Sequence, residues 1–169
     1  MLKSFSVTAL ILLCFVIFET AILSNLLFLP AIPDFLLIVT LYISVNNGRL
    51  FGVSVGFLSG LFMDFLSFSP FGLHCLLRTI IGYFAGIFSK TLNMSGFFLP
   101  VLIGLGATLL KSLLIAAISI FFPDSVVAYS LFSKSFLFEL ASNALLTPLV
   151  FKFLDIFSNF ILLNPESVS

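Results

Sequence analysis

Between Arg49 and Asp64 glycine returns at every fourth position, at 52, 56 and 60, inside the apolar run Arg49-Leu-Phe-Gly-Val-Ser-Val-Gly-Phe-Leu-Ser-Gly-Leu-Phe-Met-Asp64. Four residues advance a helix by about 400°, so these positions form one slowly drifting stripe with almost no side chain on it. In water such a helix is poor, because each glycine costs roughly 1 kcal/mol relative to alanine. In hydrocarbon the same stripe lets a second helix backbone approach closely. The stripe therefore predicts an interhelical packing seam, with Asp64 one turn beyond it. Gly82 and Gly86 repeat the spacing further along and supply the other half of the seam.

Composition agrees with a membrane interior. Hydrophobic residues make up 61% of the 169 positions and charged residues 8%. A soluble domain carries about 25% charged residues, so a solvated surface cannot be built from this chain. The expected fold is an all-α integral membrane protein, a single polytopic domain over 1–169. At about 20 residues per span it holds about six helices, placed near 5–28, 34–45, 50–68, 73–88, 97–122 and 136–157. Pro30 and Pro33 end the first, and Pro33-Asp34 opens the second with an acid suited to the helix dipole. Ser69-Pro70-Phe71-Gly72 reads as a tight turn. Residues 158–169 read as a short polar tail. Glu19 interrupts the first apolar run, which reads as a span and not as a cleaved leader.

Lys3, Arg49, Lys90 and Lys152 fall on one side of such a bundle and Lys134 on the other, so both termini are expected in the cytoplasm. Net charge is zero with no basic run, which gives no footprint for nucleic acid. Cys14 and Cys75 sit in apolar stretches and read as small buried residues. One histidine cannot make a zinc site, and neither a metal nor a cofactor is expected. Gly52-Val-Ser54-Val-Gly56 matches the nucleophile pattern G-x-S-x-G, which requires a strand-to-helix elbow and a nearby histidine. Here it lies within a helix, roughly 20 Å from His74 by the helical rise, so Ser54 reads as a packing residue and no catalytic residue is expected.

Five charged residues fall within apolar spans: Glu19, Asp64, Arg78, Lys111 and Glu139. Each costs about 2.5–3.5 kcal/mol at a helix centre unless it finds a partner or water. A short turn makes the third and fourth spans antiparallel neighbours, which predicts an Asp64–Arg78 pair. Lys111 is then left to pair with either Glu19 or Glu139. Such charges fix helix register, line a ligand or ion pathway, or form an outward cavity for a partner's segment; position alone leaves all three open.

Taken in order, Pro33-Asp34-Phe-Leu-Leu-Ile, the glycine stripe ending at Asp64, Ser69-Pro70-Phe71-Gly72-Leu73-His74 and Gly82-Tyr83-Phe84-Ala85-Gly86 resemble the MreD family of rod shape-determining proteins. The resemblance is most specific over residues 33–86 and carries Pro33, Asp34, Pro70 and Gly72 as family-like positions. It implies a non-enzymatic scaffold in the bacterial inner membrane, controlling cell shape and lateral peptidoglycan synthesis. MreC is the implied direct partner, with RodA, its class B transpeptidase partner and, indirectly, the MreB filament. It also implies similarity to the S-component fold of energy-coupling-factor transporters, which keeps a small-molecule binding or transport subunit as the alternative. A proton or ion pathway through Asp64 is a third reading.

Overall fold

The computed structural model describes residues 2–25, 30–67, 69–90, 96–126 and 133–163, all helices and their connections with no strand among them. Helix α1 (Leu2–Ile17) runs on through a π-helical turn (Phe18–Ile22) and a 3₁₀ turn (Leu23–Asn25). It is followed by α2 (Phe35–Asn47), α3 (Arg49–Leu66), α4 (Leu73–Ile87), α5 (Phe98–Phe121), α6 (Lys134–Asp155) and a single turn, α7 (Ser158–Ile161). Parts of the expected loops at 91–95 and 127–132, and the chain end from 164, lie outside the described residues.

Helix α2 is the axle of the bundle. Every residue from Leu36 to Val45 is buried, as expected of a helix that is apolar all round. Helices α1, α3, α4, α5 and α6 all pack against it. At 13 residues it is about 20 Å long, well short of the ~30 Å hydrocarbon core. Among the described residues four helical stretches are long and apolar enough to cross a membrane: Lys3–Asn25, Arg49–Leu66, Phe98–Phe121 and Lys134–Asp155. The two shorter helices, α2 and α4, lie against these full-length neighbours.

Local chemistry explains the ends. Asp34 caps α2 through Oδ1, which accepts from the Leu37 N–H at 2.8 Å. Gly48, at φ +92°, both closes α2 and opens α3, a left-handed turn that glycine adopts at no steric cost. Ser133 caps α6 by accepting from the Phe136 N–H at 3.2 Å. Pro148 lies inside α6, where the Thr147 hydroxyl donates to the Asn143 carbonyl at 2.5 Å.

Helices α3 and α4 touch backbone to backbone. A Cβ built on Gly52 would come within 3 Å of the Gly82 carbonyl, one on Gly56 within 3 Å of Arg78, and one on Gly60 within 3 Å of Cys75. Gly82 faces Gly52 in return, and Gly86 faces Arg49. A second close approach, at Gly104, brings α5 against Thr147 and Asn143 of α6.

Two expectations are corrected here. The segment after α6 does not trail away as a polar tail up to residue 163. Ile161 is fully buried, the Asn47 amide oxygen accepts from the Leu163 N–H at 2.7 Å, and Tyr42 donates to Asp155 at 2.7 Å. Cys14 is not buried but exposed on α1, while Cys75 is buried. An apolar face of α1 meets lipid in a membrane, so outward orientation costs the small thiol nothing.

Candidate functional site: a buried ion network

The polar centre forms where α2 begins. Asp34 Oδ1, already capping α2, also accepts from Arg78 Nη2 of α4 at 2.8 Å. Its Oδ2 accepts from Lys111 Nζ of α5 at 2.7 Å. The same ammonium donates to Glu139 Oε1 of α6 at 2.8 Å. The Asp34 N–H donates to Asn143 Oδ1 of α6 at 2.9 Å, and Asn143 Nδ2 donates to Thr108 Oγ1 of α5 at 3.1 Å. Glu19, on the π turn of α1, accepts from the Leu36 N–H at 3.1 Å. Residues from four other helical elements are thus tied to the first turn of α2.

Burial gives the network its weight. Arg78 is 2% exposed, Asp34 and Glu19 are 4% and Asn143 is 0%. Attraction between charges strengthens as the local dielectric falls, and so does the cost of leaving one unpaired. Breaking a buried pair by removing one partner typically costs about 3–5 kcal/mol. Asp34 holds two cations at once; its loss strands Arg78, whose ion pair among the described residues is with Asp34, whereas Lys111 keeps Glu139.

The expected Asp64–Arg78 pair is not formed. Arg78 pairs with Asp34, and Asp64 caps α4 from the neighbouring helix. Its Oδ2 accepts from the Gly72 and Cys75 N–H groups at 3.0 and 3.1 Å, and its Oδ1 from the His74 N–H at 3.0 Å. The reason is local. The first turn of a helix presents unsatisfied N–H groups and the positive end of its dipole, and for Asp64 these lie nearer than a guanidinium further along α4. Of the two partners open to Lys111, the structure pairs it with Glu139. Glu19 makes no ion pair among the described residues. Ser54 donates to the Leu50 carbonyl, and His74 shares a hydrogen bond with Ser69. No bond links Ser54 and His74.

Sequence reasoning missed three parts of the site. Asp34 was legible as a helix start, not as the hub for two cations 44 and 77 residues away. Asn143 and Thr108 were passed over, although a polar residue midway along an apolar helix is itself a signal of an interhelical bond. The described residues contain no group of three or more His, Cys, Asp or Glu side chains placed to hold a metal.

A family model described as rod shape-determining protein MreD matches residues 2–157. The chain belongs to the MreD family. No curated protein and no solved structure matches it. Membership makes this a membrane protein of bacterial rod-shape determination, and it gives the ion network a setting: the polar interior of an MreD bundle. Of the positions Pro33, Asp34, Pro70 and Gly72, the first two lie at that interior and Pro70 is exposed. Asp34 is its hub, Gly72 donates its N–H to Asp64, and Pro33 is buried just before α2.

Proposed function

We propose that this MreD-family chain is a non-enzymatic scaffold of the cell-elongation machinery, held in the bacterial inner membrane with both termini in the cytoplasm. It acts with MreC, and through that complex with RodA, its class B transpeptidase partner and the MreB filament, to direct lateral peptidoglycan synthesis. The observation that carries this reading is the match over residues 2–157. The interior supports it, because the buried polar groups that bond do so chiefly between helices. Asp34, Lys111, Glu139, Asn143 and Thr108 bind one another across α2, α5 and α6.

The transport alternative draws less support. Two grooves, of about 650 Å³ between α1 and α6 and about 400 Å³ between α4 and α5, are lined by apolar side chains such as Leu10, Phe15, Leu146 and Phe153 in the first and Ile81, Leu102 and Ala107 in the second. A water-soluble vitamin requires a few convergent polar groups to fix it, and neither groove has them.

Complementation tests the proposal. In a rod-shaped host depleted of its own MreD, this chain with the host's MreC replaced by the cognate one is expected to restore rods and to co-purify with MreC. Variants that part the α3–α4 seam are expected to lose both. Rod growth and MreC capture by a chain carrying Gly56→Leu and Gly60→Leu together refutes the scaffold reading in this form.

A further inference from the structure

Arg78 is 2% exposed, yet only one of its nitrogens has a partner. Nη2 donates to Asp34, whereas Nε and Nη1 are buried and donate to nothing. A guanidinium carries five N–H donors and no acceptor, and an unmet donor in a membrane interior is costly. The arrangement of Asp34, Lys111 and Glu139 leaves those two nitrogens unmet while satisfying itself. Arg78 therefore has donors for one more acceptor.

A second buried carboxylate reaches the same turn of α2. Glu19 is 4% exposed, and its Oε2 meets the Leu36 N–H two residues beyond the Asp34 that pairs with Arg78. Its one described hydrogen bond, from the Leu36 N–H, is 3.1 Å long. A guanidinium can offer a carboxylate two parallel N–H bonds where a backbone amide offers one. Glu19 also sits on the π-helical turn Phe18–Ile22. A π turn holds one residue more than an α turn, and such turns occur frequently at functional sites. Relaxing it to α geometry shifts the register of the outer end by one residue, a rotation of about 100° around the axis.

We infer that Glu19 exchanges between two partners, the Leu36 N–H at the head of α2 and the unmet Nε and Nη1 donors of Arg78, with the π turn of α1 as the element that moves it. In the second setting Arg78 bridges Asp34 and Glu19, while the Leu36 N–H gives up its acceptor. The gain at one site and the loss at the other oppose each other, which is the condition for two populated arrangements. Asp34, Lys111 and Glu139 keep their bonds in both. The C-terminal end of α1 thereby has two settings against α2. This goes beyond the scaffold reading and does not depend on any partner.

The chain has only two arginines, 49 and 78, and three glutamates, 19, 139 and 166, which makes the exchange directly measurable. The full chain carrying Arg49→Lys is labelled with ¹⁵N-arginine and ¹³Cδ-glutamate in lipid bilayers, and nitrogen–carbon dipolar dephasing is recorded in the frozen state. The expected result is a fraction of molecules with a glutamate within ion-pair distance of Arg78, about 4 Å from N to O, and loss of that dephasing in Glu19→Gln. If Glu19→Gln does not assemble, Glu19→Asp removes the label while keeping the charge and supplies the same subtraction. Absence of the short distance in the parent chain, or its persistence in either variant, overturns the inference.

Discussion

Replacing Gly56 by alanine tests the seam and its link to the ion network with one methyl group. Ordinary carbon contacts begin near 3.4 Å, whereas a Cβ at Gly56 would lie 2.8 Å from the Arg78 carbonyl carbon, with the carbonyl oxygen closer still. Both partners are backbone, so neither can turn aside, and α3 and α4 must part there by at least 0.6 Å. A gap of 0.5–1 Å forfeits about a quarter to a half of the dispersion energy of the atoms that line it. Overpacking of this kind typically costs about 1–3 kcal/mol. Movement of α4 at Arg78 along the ion-pair direction also stretches its 2.8 Å bond to Asp34 towards the edge of hydrogen-bond range. Alanine's better helix propensity returns roughly 1 kcal/mol at most. The net loss is therefore up to about 2 kcal/mol, or up to about 8 °C in Tm at the usual 2–4 °C per kcal/mol for a chain of this size. Gly106→Ala is the control, because a Cβ there meets nothing within 4 Å; propensity alone predicts no loss or a small gain. The chain has no tryptophan but holds a buried thiol at Cys75. In a Cys14→Ser background, thermal unfolding followed with a thiol-reactive fluorogenic dye reports that one site. Equal shifts for Gly56→Ala and Gly106→Ala would refute the reasoning.

The network makes further predictions. Asp34→Asn is expected to destabilise by about 3–5 kcal/mol, the usual cost of breaking a buried pair, because it strands Arg78, and by more than Glu139→Gln, which leaves both Arg78 and Lys111 their Asp34 partner; the same thermal assay ranks the two, and the reverse order counts against Asp34 as hub. Asp64→Ala should cost about 0.5–2 kcal/mol as a lost helix cap, with faster hydrogen exchange at the Gly72, His74 and Cys75 amides; unchanged exchange there contradicts the capping role. Cysteines at Ser69 and Ser125 should react with a membrane-impermeant maleimide in intact cells, and one at Asn159 only after permeabilisation. The opposite pattern reverses the proposed orientation.

What was legible in the sequence and what was not divide along a physical line. The four-residue glycine spacing of α3 and α4 is readable because helical geometry converts spacing directly into a face, and a face without side chains has one common use in hydrocarbon. The helix start at Asp34 is readable for the same local reason. The choice of ion-pair partners is different in kind. Chain order made Asp64 the natural neighbour of Arg78, but the three N–H groups at the start of α4 lie closer to Asp64 and meet both carboxylate oxygens. Asp34 reaches Arg78 and Lys111 only because α2 lies at the centre of the bundle, and nothing in its own 13 residues announces that position except the absence of any charge among them.

That central position also accounts for the shortness of α2. A helix exposed to lipid must match the bilayer or distort it, but one enclosed by other helices is relieved of that constraint. Helix α2 can therefore begin inside the molecule, where Asp34 meets cations from α4 and α5, and end at Gly48 without crossing the full hydrocarbon thickness. A polar first turn at that depth is tolerated only where protein, and not lipid, surrounds it. The enclosure in turn depends on α3 and α4 closing one side without a gap, which glycine at 52, 56, 60 and 82 permits. Seam and ion network are then parts of one structure: the first admits a short buried helix, and the second uses the end of that helix to fix the bundle around it.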